Sequence, residues 1–411
     1  MKYPNKTVCI VDHGMYINVA LKLSEDFGTV YYYTPWEGAF PKSNDTLPGF
    51  GYKEFKRINR IWDKIDEIDL FVFTDIYHSD MQEYLVSLGK RVWGARQGDS
   101  MEIYRWDFLQ YMKKIGLAVP DSELIVGVDN LRKALQKTDD VFVKMDAMER
   151  GDAETFHHIT YDLTKPLLDD MQHTLGAKAS IKKFIIQHPI ETDAEIGYDG
   201  WTIDGKFPDM CIVGIEVKDQ GYIGKVEEYA KIPKEIRDVN EKLSATLKRY
   251  GYRGNFSTEI RVAKDGTPYL IDPTCRMPCP PTSVMLSLVG NMAEVMYEGA
   301  DGKVIVPEMT DYVGAQFLLY SDFANSHFYN LQIPKDVQPY VTQSNSCIID
   351  GITYTIPMYW DSQCVAEVVA TGSDVESVIK KLKTMAESIK GFGLKVNADC
   401  LSDAITEFNK M

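Results

Sequence analysis

Apolar positions follow two different periods along the first hundred residues. Short apolar runs occur in "TVCIVDH", "TVYYYTP", "LFVFTD" and "KRVWGA". Between these runs, "YINVALKLSEDFG" and "SDMQEYLVSLG" repeat apolar residues at the spacing of amphipathic helices. Buried strands that alternate with helices need crossover connections, so the pattern predicts an α/β domain with a parallel sheet of the doubly wound kind.

The middle of the chain mixes helices with strands. Helices are predicted in "MEIYRWDFLQYMKKIG", which Gly116 closes, and in "EIRDVNEKLSATLKRYG" and "VMLSLVGNMAEVMYEG". Strands are predicted in "DVFVKMDA" and "KFIIQHPI", and a hairpin is predicted through residues 203–206. After about residue 310 the sequence is rich in strands and then forms one amphipathic helix, "DVESVIKKLKTMAESIKG", with Asp374 as its N-cap.

Composition narrows the class of protein. The chain has 411 residues and a formal net charge of −15, which argues against nonspecific binding to nucleic acid or to anionic membranes. Its seven cysteines include no C-x-x-C pair, so we expect buried thiols in a reducing cytosol. No apolar signal core or membrane-spanning run occurs, and we predict a cytoplasmic protein without a membrane partner. A homodimer is compatible with the sequence.

Two carboxylates occupy neighbouring strands of a predicted hairpin. The stretch "GNFSTEIRVAKDGTPYLIDPTCRMP" places Glu259 and Asp272 on either side of a turn. If the two acids lie opposite each other, their repulsion needs a cation, and Mg²⁺ shared with nucleotide phosphates is one solution. The alternative is that each acid forms a surface salt bridge with an arginine, either Arg261 or Arg276. The spacing alone does not separate these interpretations.

Two cationic side chains are candidates for binding anions. Lys144 lies within the apolar run "VFVKMDA", and a lysine facing the interior of a sheet needs an anionic partner. An edge-strand lysine that reaches solvent is the alternative. Arg276 follows the end of a strand and could clamp a phosphate or a carboxylate through two parallel hydrogen bonds. A solvated arginine in a proline-rich loop is the alternative here.

The segment "QHPIETDAE" is a candidate for binding a nucleoside. The backbone of Gln187, His188 and Ile190 could form hydrogen bonds with the edge of an adenine. Either Glu191 or Glu195 could then accept hydrogen bonds from the ribose hydroxyls. A solvated acidic loop is the alternative interpretation.

Two further segments could contact phosphates. "AMERGDAETF" contains Arg150 and Gly151 and could cover a phosphate chain, although one glycine gives only a weak signal. "KDQGYIGKV" places Lys218 and Lys225 among flexible glycines, where they could bind ATP phosphate or an acidic substrate, or simply be exposed.

In sequence order, these segments resemble the ATP-grasp superfamily. The resemblance implies a nucleotide between two α+β subdomains, with two acids on adjacent strands carrying magnesium. Glu259 matches the first acid, and Asp272 matches the second, which is more often glutamate. Thr274 stands where asparagine is usual and is included among the implied metal ligands. Arg276 matches the arginine of the family, and together with Arg261 it is a candidate catalytic residue.

The same resemblance implies roles for residues that bind the cofactor. Lys144 matches the lysine that reaches the α- and β-phosphates, and Arg105 falls near a second basic residue. Glu195 matches the ribose acid, with Glu191 as its rival. The implied cofactors are ATP and Mg²⁺, which Mn²⁺ could replace. The implied domains are a pre-ATP-grasp domain at 1–100, an ATP-grasp domain at 101–310 with a lid subdomain at about 120–190, and an α+β domain at 311–411.

Within the superfamily, the chain is most similar to glycinamide ribonucleotide synthetase, the phosphoribosylamine–glycine ligase family. The similarity is carried by "TVCIVDHGMYINVALKL", "RWDFLQYMKKIGLAVPDSE" and "VAEVVATGSDVESVIKKLKTMAESIKG". It implies an ATP-dependent ligase that joins a small-molecule carboxylate to an amine through an acyl phosphate. A lid at 148–156 would exclude water from that intermediate.

The chain departs from this family at two glycine-rich loops. The first loop holds a sugar phosphate in the family but is Asp12-His13-Gly14-Met15-Tyr16 in this chain, which predicts a different substrate. The second is reduced to "AMERGDAETF". These losses and Thr274 leave open a protein that binds Mg-ATP without ligase activity. A nicotinamide-dependent oxidoreductase is disfavoured, because no G-x-G-x-x-G follows the first strand.

Overall fold

We describe the chain from a computed structural model, over residues 1–35, 47–147, 155–357 and 364–409, with the side chains of 192–194 excepted. The chain divides into two compact units. The first unit comprises Met1–Gly98, Ile196–Thr258 and Thr274–Met411, and the second comprises Asp99–Glu195 and Glu259–Pro273. Each unit is described by itself, and the boundaries predicted at residues 100 and 310 stay predictions.

The N-terminal segment of the first unit forms a parallel sheet. Its strands within the described residues are β1 (Tyr3–Val11), β2 (Phe27–Tyr33), β3 (Lys56–Ile58), β4 (Leu70–Phe73) and β5 (Arg91–Trp93), in the order β3-β2-β1-β4-β5. All neighbouring pairs are parallel. Helices α1 (Ile17–Ser24) and α2 (Ser79–Ser87) lie in the connections. This arrangement confirms the predicted parallel α/β domain.

Burial on both faces explains why the strands of this sheet are continuously apolar. Val8 and Ile10 of β1 belong to one hydrophobic cluster, whereas Cys9 and Val11 belong to another. Parallel sheets need such cover on both faces. Val11 pairs with both Tyr33 and Phe73, so β1, β2 and β4 end at the same edge. Polar residues that follow these strands are therefore brought together at that carboxyl edge.

The second unit packs helices against a small antiparallel sheet. Its elements are α3 (Ser100–Ile103), α4 (Arg105–Lys114), β6 (Ser122–Val126), α5 (Val128–Leu135), β7 (Val141–Met145), β8 (Thr155–His158), α6 (Tyr161–Leu175) and β9 (Lys183–Gln187). The strand order is β6-β9-β7-β8, and β7 pairs with both β8 and β9. Lys144 therefore lies on an inner strand, which rules out its alternative as a lysine on an edge strand.

The remaining strands form a large antiparallel sheet. They are β10 (Thr192–Ile203), β11 (Met210–Val217), β12 (Gly221–Glu228), β13 (Arg253–Ala263), β14 (Pro268–Thr274), β15 (Val313–Tyr320), β16 (Val341–Gln343) and β19 (Cys364–Gly372). Over the described ranges their order is β14-β13-β10-β11-β12-β15-β19-β16. Strands β17 (Ser346–Ile349) and β18 (Ile352–Thr355) form a separate hairpin. The chain passes from one unit to the other within β10, β13 and β14.

The later helices are α7 (Lys234–Arg249), α8 (Thr282–Leu288), α9 (Met292–Gly299), α10 (Val375–Ser388) and α11 (Ser402–Phe408). Helix α10 begins as predicted, because the carboxylate of Asp374 accepts a hydrogen bond from the backbone N–H of Ser377 at 2.9 Å. Within the described ranges, no helix combines the length and the apolar composition needed to cross a membrane.

Two predicted helices are interrupted. The helix predicted from "MEIYRWDFLQYMKKIG" breaks at Tyr104, which separates α3 from α4. The helix predicted from "VMLSLVGNMAEVMYEG" breaks at Val289, whose backbone is extended, and Gly290 then donates a hydrogen bond to the carbonyl of Glu308. Long-range pairing causes the second break. An evenly apolar sequence contains no local signal for it.

Candidate active site

Lys144 finds its anionic partner on strand β14 of the β13–β14 hairpin. Its side chain is only 6% exposed, and its Nζ atom donates a hydrogen bond to Oδ2 of Asp272 at 2.6 Å. A second hydrogen bond runs to the carbonyl of Ile271 at 3.1 Å. A buried ammonium is stable only when it is paired and hydrogen-bonded, and both conditions are met. The strand lysine and the second hairpin acid thus lie together in the second unit.

Arg105 brings a second cation towards the same carboxylate. It begins helix α4, and its Nε atom lies 4.0 Å from Oδ1 of Asp272. One of its terminal nitrogens donates to the carbonyl of Met145 at 3.2 Å, which fixes the guanidinium beside the end of β7. Two cations at one carboxylate create a locally positive environment, of the kind that attracts phosphate groups.

Two hydrogen bonds and a glycine fix the turn between β13 and β14. Ala263 donates to the carbonyl of Thr267 at 2.9 Å, and Gly266 donates back to Ala263 at 2.8 Å. Gly266 has φ +84°, which glycine adopts without strain. Continued without interruption, this register would pair Glu259 with Ile271.

Burial along strand β14 does not follow strict alternation. Leu270 and Pro273 are buried, three positions apart, whereas Ile271 and Asp272 between them are half-buried. Strict alternation would place the side chains of Glu259 and Asp272 on opposite faces, because a shift of one residue reverses the face of a strand. The metal hypothesis therefore requires the pairing of β13 with β14 to depart from the register set by the turn, as it would at a β-bulge.

The residues of the hairpin supply the donors that magnesium prefers. Glu259 is half-buried between the buried residues Thr258 and Ile260, and it offers carboxylate oxygens like those of Asp272. Thr274, the third predicted ligand, ends β14 and belongs to the first unit. Within the described part of the chain, no group of three or more His, Cys, Asp or Glu side chains could hold a metal ion. The donor set fits a hard cation that takes most of its ligands from nucleotide phosphates and water.

The two candidate ribose acids have different surroundings. Glu195 is half-buried, and its Oε2 atom accepts a hydrogen bond from Nε of Arg261 at 2.7 Å. Glu191 is mostly exposed and pairs with Lys264 at 2.7 Å, which lowers the pKa of its carboxyl group. Arg261 therefore lies with Glu195, and its guanidinium carbon is 5.8 Å from the ring centre of Phe142.

The predicted adenine segment borders a cavity in the second unit. Gln187 ends β9 and donates to the hydroxyl of Ser122 at 3.2 Å, and the backbone N–H of His188 donates to the carbonyl of Asp121 at 3.1 Å. His188 and Ile190 line a cavity of about 670 Å³. Its other lining residues are Lys113, Val119, Pro120, Asp121, Pro189, Glu191, Ala263, Lys264, Asp265 and Tyr269.

Of the predicted cofactor residues, two lie outside the described residues and a third belongs to the first unit. Arg150 and Gly151 lie outside the described residues, as does most of the predicted lid at 148–156. Lys225 lies on β12 in the first unit, where it pairs with Val213 and Val313 and lines a cavity of about 1020 Å³ beside α10.

Arg276 lies at the carboxyl edge of the parallel sheet in the first unit. Its Nε atom is 3.7 Å from Oδ1 of Asp75, which is almost completely buried just beyond β4. The next residue, Met277, donates to the carbonyl of Thr74 at 3.0 Å and accepts from the hydroxyl of Tyr16 at 2.6 Å. These bonds hold the arginine where the ends of β1 and β4 meet.

The first loop is closed by its own aspartate. Oδ2 of Asp12 accepts hydrogen bonds from the backbone N–H groups of Gly14 at 2.9 Å and Tyr16 at 3.0 Å, and from the hydroxyl of Tyr32. Oδ1 accepts from the hydroxyl of Thr74 at 2.8 Å. The carboxylate thus takes up the loop amides that would otherwise face an anion.

The sequence interpretation missed a pair of histidines at the same edge. The Nε2 atoms of His13 and His78 are 3.1 Å apart, and their rings are stacked with centres separated by 5.1 Å. Both side chains are half-buried, and burial lowers the pKa of His78. Each histidine closely follows an apolar strand in the sequence, but the two meet only because β1 pairs with β4, which neither segment indicates by itself.

A buried acid supports the loop that follows Arg276. Glu367 of β19 accepts hydrogen bonds from the hydroxyl of Ser283, from the thiol of Cys279 at 3.6 Å and from the amide of Gln316 at 3.5 Å. Burial raises the pKa of Glu367. The acid therefore ties the loop and the start of α8 to the antiparallel sheet. Nothing in the sequence singled out this residue.

The fold is that of solved ATP-grasp enzymes, to which the chain is similar along almost its whole length. Phosphoribosylamine–glycine ligase from Thermotoga maritima is similar in structure, with a TM-score of 0.71, 17% sequence identity, and coverage of 96% of this chain and 99% of that one. Biotin carboxylase from Campylobacter jejuni, solved as a β,γ-ATP complex, has a TM-score of 0.67 at 16% identity, with coverage of 98% of this chain and 96% of that one.

A third similar structure contains a magnesium nucleotide. It is the biotin carboxylase domain dimer of 2-oxoglutarate carboxylase from Hydrogenobacter thermophilus, in complex with MgADP, ADP and bicarbonate. Its TM-score is 0.66 at 11% identity, and the coverage is 95% of this chain and 91% of that one. No protein-family model matches the sequence, and no curated protein matches it. At these identities the likeness shows the fold, and function has to be argued from the site.

Proposed function

We propose that this protein is an ATP-dependent ligase that joins a carboxylate to an amine through an acyl phosphate. The main support is the contact of 2.6 Å between the buried Lys144 and Asp272, with Arg105 at 4.0 Å. This cluster combines phosphate-binding cations with a potential metal ligand in the second unit. The fold shared with ligases and ATP-bound carboxylases supports the same reaction class.

In this proposal, Lys144 and Arg105 bind the polyphosphate of ATP. Their positive charges offset charge on the phosphates in a partly buried site, where electrostatic interactions are stronger than in water. Asp272 and Glu259, both of the second unit, would hold Mg²⁺. The bound ion would supply charge neutralisation at the phosphates. Mn²⁺ has the same preference for oxygen donors and could take its place.

The nucleoside would be held by the segment that ends β9. We assign the adenine edge to the backbone of Gln187, His188 and Ile190. The N–H of His188 is already bonded within the protein, so its carbonyl is the group available for recognition. Glu195 is the better ribose acid, because Arg261 holds it in place at 2.7 Å whereas Glu191 extends into solvent.

The acceptor carboxylate would be bound by Arg276 in the first unit. A guanidinium can form two parallel hydrogen bonds with a carboxylate. Asp75 holds Arg276 at the sheet edge before substrate binds. The amine substrate would differ from phosphoribosylamine, because the carboxylate of Asp12 already occupies the amides of the first loop.

The test begins with binding and then asks for turnover. Mg-ATP should raise the melting temperature of the wild-type protein, and ADP release should require a carboxylate from a panel of amino acids and dicarboxylates. Asp272→Asn should keep the fold and lose ADP release. Full turnover in that variant would refute the metal assignment. Binding of Mg-ATP without turnover across the whole panel would favour a nucleotide-binding protein that lacks ligase activity.

A further inference from the structure

We propose that the His13–His78 pair takes the proton from the amine substrate, with His78 as the catalytic base. This inference rests on the proposed ligase function. An amine is protonated near neutral pH and cannot attack an acyl phosphate until it loses a proton. The chain therefore needs a proton acceptor near its substrate-binding arginine.

The pair lies at the same sheet edge as Arg276. His13 follows Asp12 at the end of β1, and His78 is three residues beyond Asp75, the residue that contacts Arg276 at 3.7 Å. Strands β1 and β4 are direct neighbours, and Met277 is bonded to Thr74 at the end of β4. The arginine contacts a residue just beyond β4, and the two imidazoles follow β1 and β4, so all three belong to the same edge of this sheet in the first unit.

The contact between the two rings suits a base. Two Nε2 atoms at 3.1 Å must share one hydrogen, so one imidazole donates and the other accepts. When His78 is the donor, its Nδ1 atom carries a lone pair that can receive a proton. The resulting imidazolium donates a charge-assisted hydrogen bond to His13, and such bonds are stronger than neutral ones. His13 thereby stabilises the protonated state of His78 without leaving its place.

Two further observations bear on the proposed role of His78. They concern the backbone of the residue before it and the pKa of its ring. Tyr77, directly before it, has φ +74°, a left-handed conformation that is strained for a tyrosine and is maintained only where the surrounding structure requires it. Burial lowers the pKa of His78, so the ring is neutral at neutral pH before substrate binds.

The proposed step balances. The ammonium R–NH₃⁺ gives one proton to Nδ1 of His78 and becomes the free amine. The nitrogen lone pair then forms the C–N bond while the bond between the acyl carbon and the phosphate oxygen breaks, with its electron pair leaving on phosphate. The second amine proton leaves with the phosphate, and the products are the amide, inorganic phosphate and protonated His78.

Hydroxylamine separates this role from a structural one. It is largely unprotonated at neutral pH and traps acyl phosphates as hydroxamates without help from a base. Wild-type protein is first assayed with Mg-ATP, the carboxylate panel, and either hydroxylamine or a panel of primary amines. His78→Gln should then lower kcat for the protonated amine by about 10²–10⁴-fold, while hydroxamate formation changes by less than about threefold. His13→Gln should show a smaller loss with the same selectivity.

His327→Gln is the control, because His327 is an exposed histidine that stacks on Phe323 and hydrogen-bonds with Ser326, neither of which has a proposed role. It should leave both reactions at wild-type rates. An equal loss of both reactions in His78→Gln would overturn the base assignment, as would an undiminished rate with the protonated amine. Wild-type protein that forms no hydroxamate with any carboxylate of the panel would refute the ligase proposal and the base together. A selective loss in His78→Gln supports both.

Discussion

The contact between Lys144 and Asp272 predicts a strong energetic coupling that can be measured directly. Lys144 is 6% exposed and Asp272 is 28% exposed, so replacing one partner leaves a poorly solvated charge behind. Breaking a fully buried pair costs about 3–5 kcal/mol. Because Asp272 is partly solvated, we expect Asp272→Asn to cost about 2–3 kcal/mol of the free energy of unfolding, with Lys144 left unpaired.

The reverse change should cost less. Lys144→Met leaves Asp272 with some solvent and with Arg105 at 4.0 Å, so we expect a loss of about 1–2 kcal/mol. The double variant leaves neither charge unpaired. Its loss should therefore be smaller than the sum of the single losses, by about 1–3 kcal/mol. It should nevertheless release no ADP, because both proposed functional groups are gone.

The assay is chemical unfolding of the wild-type protein, the two single variants and the double variant, monitored by circular dichroism and by tryptophan fluorescence. Free energies are compared only where the two unfolding curves coincide. Lys182→Met is the matched control, because Lys182 is another buried lysine of the second unit, bonded to the carbonyl of Ala147 at 3.0 Å. It should lose stability without coupling to Asp272→Asn. Strict additivity of Lys144→Met and Asp272→Asn would refute the contact, and a double variant that still turns over ATP would refute the proposed role.

Three other predictions follow from the site and its surroundings. Mg²⁺ alone should give no heat in calorimetry, because the cations Lys144 and Arg105 already lie beside Asp272. Mg²⁺ together with ATP should bind, and tight binding of the ion alone would contradict this account. Asp12→Gly should free the loop amides and create weak affinity for inorganic phosphate, detectable by ³¹P NMR and absent from the wild-type protein. Burial raises the pKa of the Asp199 carboxyl group to about 6, against the usual value of 3.8. The protonated carboxyl therefore stabilises the folded state at low pH, and that stabilisation is lost as the pH rises from about 4 to 6. Asp199→Asn should remove about 2–3 kcal/mol of the pH dependence of the free energy of unfolding, measured by urea unfolding at about pH 4 and about pH 6. An unchanged dependence of the free energy of unfolding on pH would contradict this prediction.

Local patterns were sufficient to predict the fold class and several elements. The apolar runs of β1, β2, β4 and β5 predict buried parallel strands, and the structure confirms them. The lysine within "VFVKMDA" predicted an anionic partner for a buried charge. That partner is Asp272, more than a hundred residues later in the sequence. Such inferences succeed because burying an unpaired charge is too costly to be tolerated.

Features set by long-range pairing could not be predicted in the same way. His13 and His78 meet only because β1 and β4 are neighbours, and strand order is not encoded in either segment. The bonds of Asp12 to Tyr32 and Thr74 depend on the same order. The break at Val289 arises from its pairing with Met309, which an evenly apolar helix gives no reason to expect.

The internally satisfied loop at Asp12 has a practical consequence for ionic conditions. A site that captures a phosphate ester through bare backbone amides competes with buffer anions, and its affinity falls as salt is added. In this protein the amides of Gly14 and Tyr16 already face a tethered carboxylate whose effective concentration no buffer can match. The amides of this loop should therefore take up no phosphate from the buffer, and competition by phosphate at this end of the sheet should be confined to Arg276.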